Sequence, residues 1–297
     1  MEDKTGVDQI IETARGGSFD VSWDVKTVIA YALGAGARPG DGDAYIYEGA
    51  GPQLLPSFAS KLCAGWIPRL NRALGDDWSA LVVTQQSWRQ QDSVSVEGSA
   101  RCEWQVVDLA AVGSNSHFEV VATLTSEAGV PMARTATQLI SRSRPPYVQL
   151  RETARLALPA MPIGEPTFSV HTHTSPQQTA TYRLSLDLDP AVPPGDAIHM
   201  DPAVYREFGF SGAPLHGPAV EALITRSVIQ SGVLDGTPSA MKTWFIRPLI
   251  PGHLVEVRGW ADNGEVSALL FDHENRLLAH AEVSANAANR HHPQKRL

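Results

Sequence analysis

The chain has 297 residues, enough for one large domain or two of ordinary size. Hydrophobic residues make up 43% of it, so a full core can be buried and a disordered chain is not expected. The formal net charge of −8 disfavours nucleic acid as a partner, which needs a basic face, but leaves room for a small anionic ligand met by a local Arg or Lys.

In chain order, MEDKTGVDQIIETARGG has neither the basic start nor the apolar run of a signal peptide, and no later stretch reaches the length of a membrane span. No membrane partner is therefore expected. Lys26 to Gly34 (KTVIAYALG) places Val28, Ile29, Ala32 and Leu33 on one helical face. Pro39-Gly40-Asp41-Gly42 is turn chemistry, and a second helical stretch runs from about Ser57 to Leu74, interrupted by Gly65 and Pro68. Cys63 and Cys102 have no metal or disulfide spacing, so both are expected as buried small residues in a reduced, cytoplasmic setting.

Alternating segments follow at Ala80–Thr84, Ser93–Gly98, Arg101–Val107, Ser116–Ser126 and Met132–Ile140, and read as strands. Glu127-Ala128-Gly129 fits a hairpin turn between the last two. From Ser141 to Pro166 five prolines and little periodicity predict a surface connection. The second half then repeats the plan. Thr167–Thr174 and Thr179–Leu186 read as strands, followed by a short helix near Pro202–Phe208 and a longer one from about Gly217 to Ser231. Met241–Arg247, Leu254–Ala261, Glu265–Asp272 and Arg276–Val283 close it as strands, with His273-Glu274-Asn275 as the last hairpin turn. The expected organisation is a module at 1–144, a linker at 145–166 and a second module at 167–297. Each offers a central helix and an antiparallel run of strands, an α+β plan used twice.

Four stretches carry a likeness to a known family. They are Val28–Gly36 with Tyr45-Ile46-Tyr47-Glu48 and Leu55-Pro56-Ser57-Phe58; Gln85-Gln86-Ser87-Trp88; Pro214-Leu215-His216-Gly217; and Phe245-Ile246-Arg247-Pro248-Leu249-Ile250-Pro251-Gly252. The chain resembles the double-hotdog, MaoC-like (R)-specific enoyl-CoA hydratases, the hydratase 2 family, from about residue 20 to 285. The resemblance implies two antiparallel sheets, each wrapping a central helix, and an N-terminal module that widens the acyl tunnel for a bulky chain. It also implies an acyl-CoA or acyl-carrier-protein thioester as substrate, with no metal and no redox cofactor. Hotdog sheets often pair edge to edge, so a homodimer is one arrangement it allows.

The family's catalytic pattern runs Tyr-Arg-x-Ser-Gly-Asp-x-Asn-Pro-Leu-His-x-Asp-Pro, with Asp and His as the working pair. Here Tyr182-Arg183-Leu184-Ser185 matches its start and Ile198-His199-Met200-Asp201-Pro202 its end. Between them Leu186 stands for the Gly, Asp189 for the Asn, and Ala191–Ala197 are inserted. His199 is the candidate acid–base residue; the alternative is a histidine bonding the backbone at a helix start. Its partner is Asp187, at the end of the expected strand, or Asp196, and either could instead be a solvated loop carboxylate.

Hydration of a 2-enoyl thioester needs one group to activate water and another to handle a proton, with a donor at the thioester oxygen. The resemblance gives that donor role to the N–H of Gly217 at the start of the central helix. His216 either lines the tunnel or serves the helix start, and Asp201 is expected to cap the helix at Pro202. Arg247 meets a CoA or phosphopantetheine phosphate, or else is an ordinary strand arginine. His171 and His173 share a strand face without a third ligand, and the tryptophans are expected in the core. A specialised dehydratase or cyclase of polyketide assembly, and a non-catalytic acyl-thioester-binding subunit, are the competing readings.

Overall fold

The computed structural model describes residues 16–74, 81–142, 150–152, 157–186 and 197–285. The first half holds strand β1 (Gly17–Trp23) and helices α1 (Val25–Gly34), α2 (Asp43–Ile46), α3 (Phe58–Cys63) and α4 (Trp66–Leu74). Strands β2 (Leu81–Gln90), β3 (Gly98–Val112), β4 (Asn115–Ser126) and β5 (Pro131–Ser141) follow. The second half holds β6 (Phe168–His173), α5 (Gln178–Arg183), a 3₁₀ turn (Ala197–His199), α6 (Pro202–Glu207) and α7 (Gly217–Ser231). It closes with β7 (Pro238–Phe245), β8 (Leu254–Asp262), β9 (Glu265–Phe271) and β10 (Leu277–Ala285).

The strands form one ten-stranded antiparallel sheet in the order β1-β3-β4-β5-β2-β7-β10-β9-β8-β6. The two sheets expected from the sequence are thus continuous, joined where β2 pairs with β7 from Gln85 opposite Trp244 to Arg89 opposite Ala240. Pairing these two edges satisfies backbone groups that separate sheets would leave exposed. Helix α3 lies on strands of the first half and α7 on strands of the second, and the two helices touch. Every α7 residue from Pro218 to Val228 is buried, including the polar Glu221, Thr225, Arg226 and Ser227. Trp23, Trp66, Trp88, Trp104 and Trp244 are core residues, and Cys63 and Cys102 are free, buried thiols.

Two expectations about local elements need correction, and one strand was missed. The segment Thr179–Leu186 is not a strand: Gln178–Arg183 is helical, and Gln178, Thr179 and Tyr182 are its buried side. Its β-favouring threonines are overridden by packing against α1, where Gly34 permits close approach. A Cβ on Gly34 would lie 2.6 Å from the Tyr182 Cα. Ser93–Gly98 is a connection, with the Ser95 carbonyl accepting from the Trp23 indole at 2.8 Å, and β3 starts only at Gly98. Strand β1 was not anticipated, although Phe19, Val21 and Trp23 alternate along it with Ser18, Asp20 and Ser22. We expect Gly34→Ala to destabilise the protein by about 1–3 kcal/mol, the usual cost of overpacking. Chemical denaturation checks this, and an unchanged midpoint would mean that α1 and α5 separate freely.

Candidate active site

His199 ends the 3₁₀ turn and is half-buried. Its Nδ1 lies 2.8 Å from the carbonyl oxygen of Pro214. A carbonyl only accepts, so Nδ1 carries the hydrogen and, in the neutral ring, Nε2 holds the basic lone pair. The Thr179 hydroxyl of α5 reaches the same strip of backbone, donating to the carbonyls of Ala213 at 3.4 Å and Pro214 at 3.5 Å. Asp201 caps α6 by accepting from the Ala203 N–H at 2.8 Å, with Pro202 in the first turn, which leaves it a structural role.

His216 is the N-cap of α7 in extended backbone geometry, and its side chain makes no capping bond. Its ring stacks on His199 with centroids 3.7 Å apart and planes 19° from parallel. Tyr182 packs against it at 4.9 Å, and Tyr31 of α1 packs on Tyr182 at 5.9 Å. Burial holds the His216 ring well below the usual histidine range, and the charges of His199 and Arg183 add to this, so His216 is neutral. Burial likewise raises the Tyr182 phenol.

Gly217 follows at once as the first residue of α7. The carbonyl of His216 accepts from Ala219 and Val220, and a Cβ on Gly217 would meet the Phe245 ring at 3.2 Å. An N–H at this position has no acceptor within its own helix and points along the positive end of the helix dipole, which suits a developing oxyanion. The bend after Arg247 is fastened to this region by the Leu215 N–H, which donates to the Leu249 carbonyl at 2.8 Å. Arg247 itself is exposed and donates to the Leu277 carbonyl at 2.8 Å. Asp187 and Asp196 lie outside the described residues. His171 and His173 occupy the exposed face of β6, His171 at 4.0 Å from Glu256.

One buried group was missed in the sequence. Glu221, one turn beyond Gly217, is fully buried, and its Oε2 accepts from the Ser60 hydroxyl of α3 at 3.2 Å. Ser60 in turn accepts from the Gln86 amide of β2. The other carboxylate oxygen of Glu221, Oε1, has no hydrogen-bond partner among the described residues. Burial pushes the carboxyl up to about 8, partly offset by the neighbouring Thr243 and Ser60 hydroxyls. The available signal was a lone acidic residue in the otherwise apolar run from Pro218 to Ile224.

A continuous antiparallel sheet cradling two central helices is the hotdog arrangement, here doubled. One neighbour at a TM-score of 0.61, a Mycobacterium tuberculosis protein 12% identical and aligned over 93% of this chain and 97% of its own, is described as a double hotdog. No family model matches the chain. It is 26% identical over 252 residues to 3-hydroxyacyl-thioester dehydratase Y of Mycobacterium tuberculosis, covering 80% of this chain and 82% of that protein. Over 279 residues it is 24% identical to peroxisomal multifunctional enzyme type 2 of Drosophila melanogaster, covering 87% of this chain but only 45% of that enzyme. The crystal structure of a MaoC-like dehydratase from Phytophthora capsici superposes with a TM-score of 0.75 at 19% identity, over 94% of this chain and 98% of that one. The relatives and structural neighbours of this chain thus include MaoC-like dehydratases and peroxisomal multifunctional enzymes type 2. Among the described residues no helix is long and apolar enough to cross a membrane.

Proposed function

We propose that the chain is an (R)-3-hydroxyacyl thioester dehydratase or enoyl thioester hydratase, a lyase acting on acyl-CoA or acyl-carrier-protein substrates. The carrying observation is His199, tied at Nδ1 to the Pro214 carbonyl and stacked on the residue that precedes Gly217. In hydration the water oxygen bonds to C3 and a proton is added at C2, with no net change of oxidation state, so acid–base groups suffice. His199 Nε2 and one aspartate, Asp187 or Asp196, divide the two proton transfers, while the Gly217 N–H polarises the thioester carbonyl. The first half of the chain, 1–144, accommodates the acyl chain, and 167–297 carries the chemistry. The relatives named as 3-hydroxyacyl-thioester dehydratase and multifunctional enzyme type 2 support this reading. A cytoplasmic location and a homodimer through an exposed edge, β1 or β6, complete it.

The test is loss of enoyl-thioester absorbance when the purified chain meets crotonyl-CoA and longer 2-enoyl-CoAs, with the 3-hydroxyacyl product recovered as the R enantiomer. Acyl-CoA binding without turnover on either carrier would replace this reading with a non-catalytic binding subunit, and release of free thiol would point to a thioesterase. A specialised dehydratase or cyclase of polyketide assembly is the second reading. It is favoured by Leu186 and Asp189 in the catalytic pattern and by the insertion Ala191–Ala197.

A further inference from the structure

His199 sits on a single 3₁₀ turn, and a turn that short does little to fix a side chain. The hydrogen bond from Nδ1 sets the tautomer and one direction, but by itself it does not fix the plane of the ring. Proton transfer tolerates little tilt, since a misplacement of about 1 Å can cost on the order of 100-fold in rate. Something must therefore bear on the face of the imidazole, and the contact there is His216.

Three features separate His216 from an ordinary residue at a helix start. The N-cap is where Ser, Thr, Asp or Asn contributes about 1 kcal/mol by bonding a free N–H, and here the side chain makes no such bond. Instead it lies flat on His199, 3.7 Å away and nearly parallel. It is also backed: Tyr182 closes its environment at 4.9 Å, and α5, which carries Tyr182, is clamped to α1 at Gly34. The column His199–His216–Tyr182 thus runs from the half-buried site to the middle of the fold. Because Gly217 is the next residue, one peptide unit links the group that bears on the base to the N–H proposed for the thioester oxygen.

We propose that His216, backed by Tyr182, is a positioning residue for His199, holding the plane of the imidazole by stacking rather than by exchanging protons with the substrate. The inference rests on the hydratase reading for its kinetic consequence, but not for its geometry. Both ring nitrogens of His216 lack hydrogen-bond partners among the described residues, so the stack is the contact by which it acts on His199.

Two variants and two readouts test it. His216→Ala is expected to lower kcat for 2-enoyl-CoA hydration by about 10- to 100-fold with KM changed by less than about 3-fold. His216→Phe, which keeps a flat ring, should recover at least about 10-fold of a 100-fold loss. The second readout is the ring-current shift of the His199 Cε1–H in carbon–proton spectra, lost in His216→Ala and kept in His216→Phe. A Phe variant as slow as the Ala variant would overturn the proposal, because the nitrogens would then be what matters. An Ala variant with the wild-type rate and an unmoved His199 signal would overturn it as well. If wild-type protein turns over no enoyl thioester, the hydratase reading fails by itself, and the His199 signal in the two variants alone decides the positioning role.

Discussion

His199→Ala is expected to reduce enoyl-thioester hydration by about 100- to 10,000-fold, the range that a positioned acid–base group contributes. That loss corresponds to roughly 3–5 kcal/mol of transition-state stabilisation. The fold should survive. His199 is half-buried, lies on a one-turn element and gives one hydrogen bond to the Pro214 carbonyl, so the cost to stability should stay near 1 kcal/mol. Steady-state kinetics beside a thermal melt separate the two effects. Turnover within a few-fold of wild type would remove His199 from the mechanism, and with it the proposed division of labour with Asp187 or Asp196.

The second large effect belongs to Glu221. On folding, its carboxyl moves from 4.5 to about 8, because burial leaves the charged form with little compensation. A raised folded value means that stability is fully present below about pH 4.5, falls as pH rises through about 8, and is level above that. The displacement is worth at most roughly 5 kcal/mol, and local relaxation brings the expected figure nearer 2–3 kcal/mol. Glu221→Gln keeps the shape and an oxygen for the Ser60 hydroxyl but cannot ionise. At pH 8.5 it should exceed wild type in stability by about 2–3 kcal/mol, with the difference vanishing toward pH 4.5. Urea denaturation of both proteins from pH 5 to 9 measures this directly. Parallel stability curves would show that Glu221 stays hydrated, contrary to its burial.

The place of Glu221 explains its reach. In the pairing of β2 with β7, Gln86 stands opposite Thr243, and both side chains are buried. Glu221 of α7 and Ser60 of α3 meet at this same seam, Ser60 bonding to both Glu221 and Gln86. The polar group therefore ties each central helix to the line where the two halves of the sheet join. A polar cluster of this kind penalises a slipped register, because every misaligned partner leaves a buried group unsatisfied.

Much of this was legible in the chain itself. The Asp201-Pro202 pair announces a capped helix, and the geometry at Ala203 agrees. His273-Glu274-Asn275 announces a hairpin turn, and Asn275 adopts the positive φ of 59° that such a turn asks of Asn. The apolar run after Gly217 announces a central helix, found from Gly217 to Ser231. These signals are local: a cap, a turn and a hydrophobic run act within a few residues, so spacing alone encodes them.

Long-range contact decided the rest. Thr179–Leu186 carries strand-favouring residues, yet is helical as far as Arg183, where Gly34, far away in sequence, offers Tyr182 a surface without a side chain. The union of the two expected sheets depends on β2 meeting β7, which no feature of either strand alone requires. His199 was readable as a candidate from the residues around it, but not the Pro214 carbonyl that sets its tautomer nor the His216 ring that lies against it. The sequence by itself determined most of the local elements, the core tryptophans and the identity of the candidate histidine. Only the tertiary structure decided what touches that histidine and which acid is buried, because side-chain surroundings are set by packing between segments whose separation carries no periodic trace.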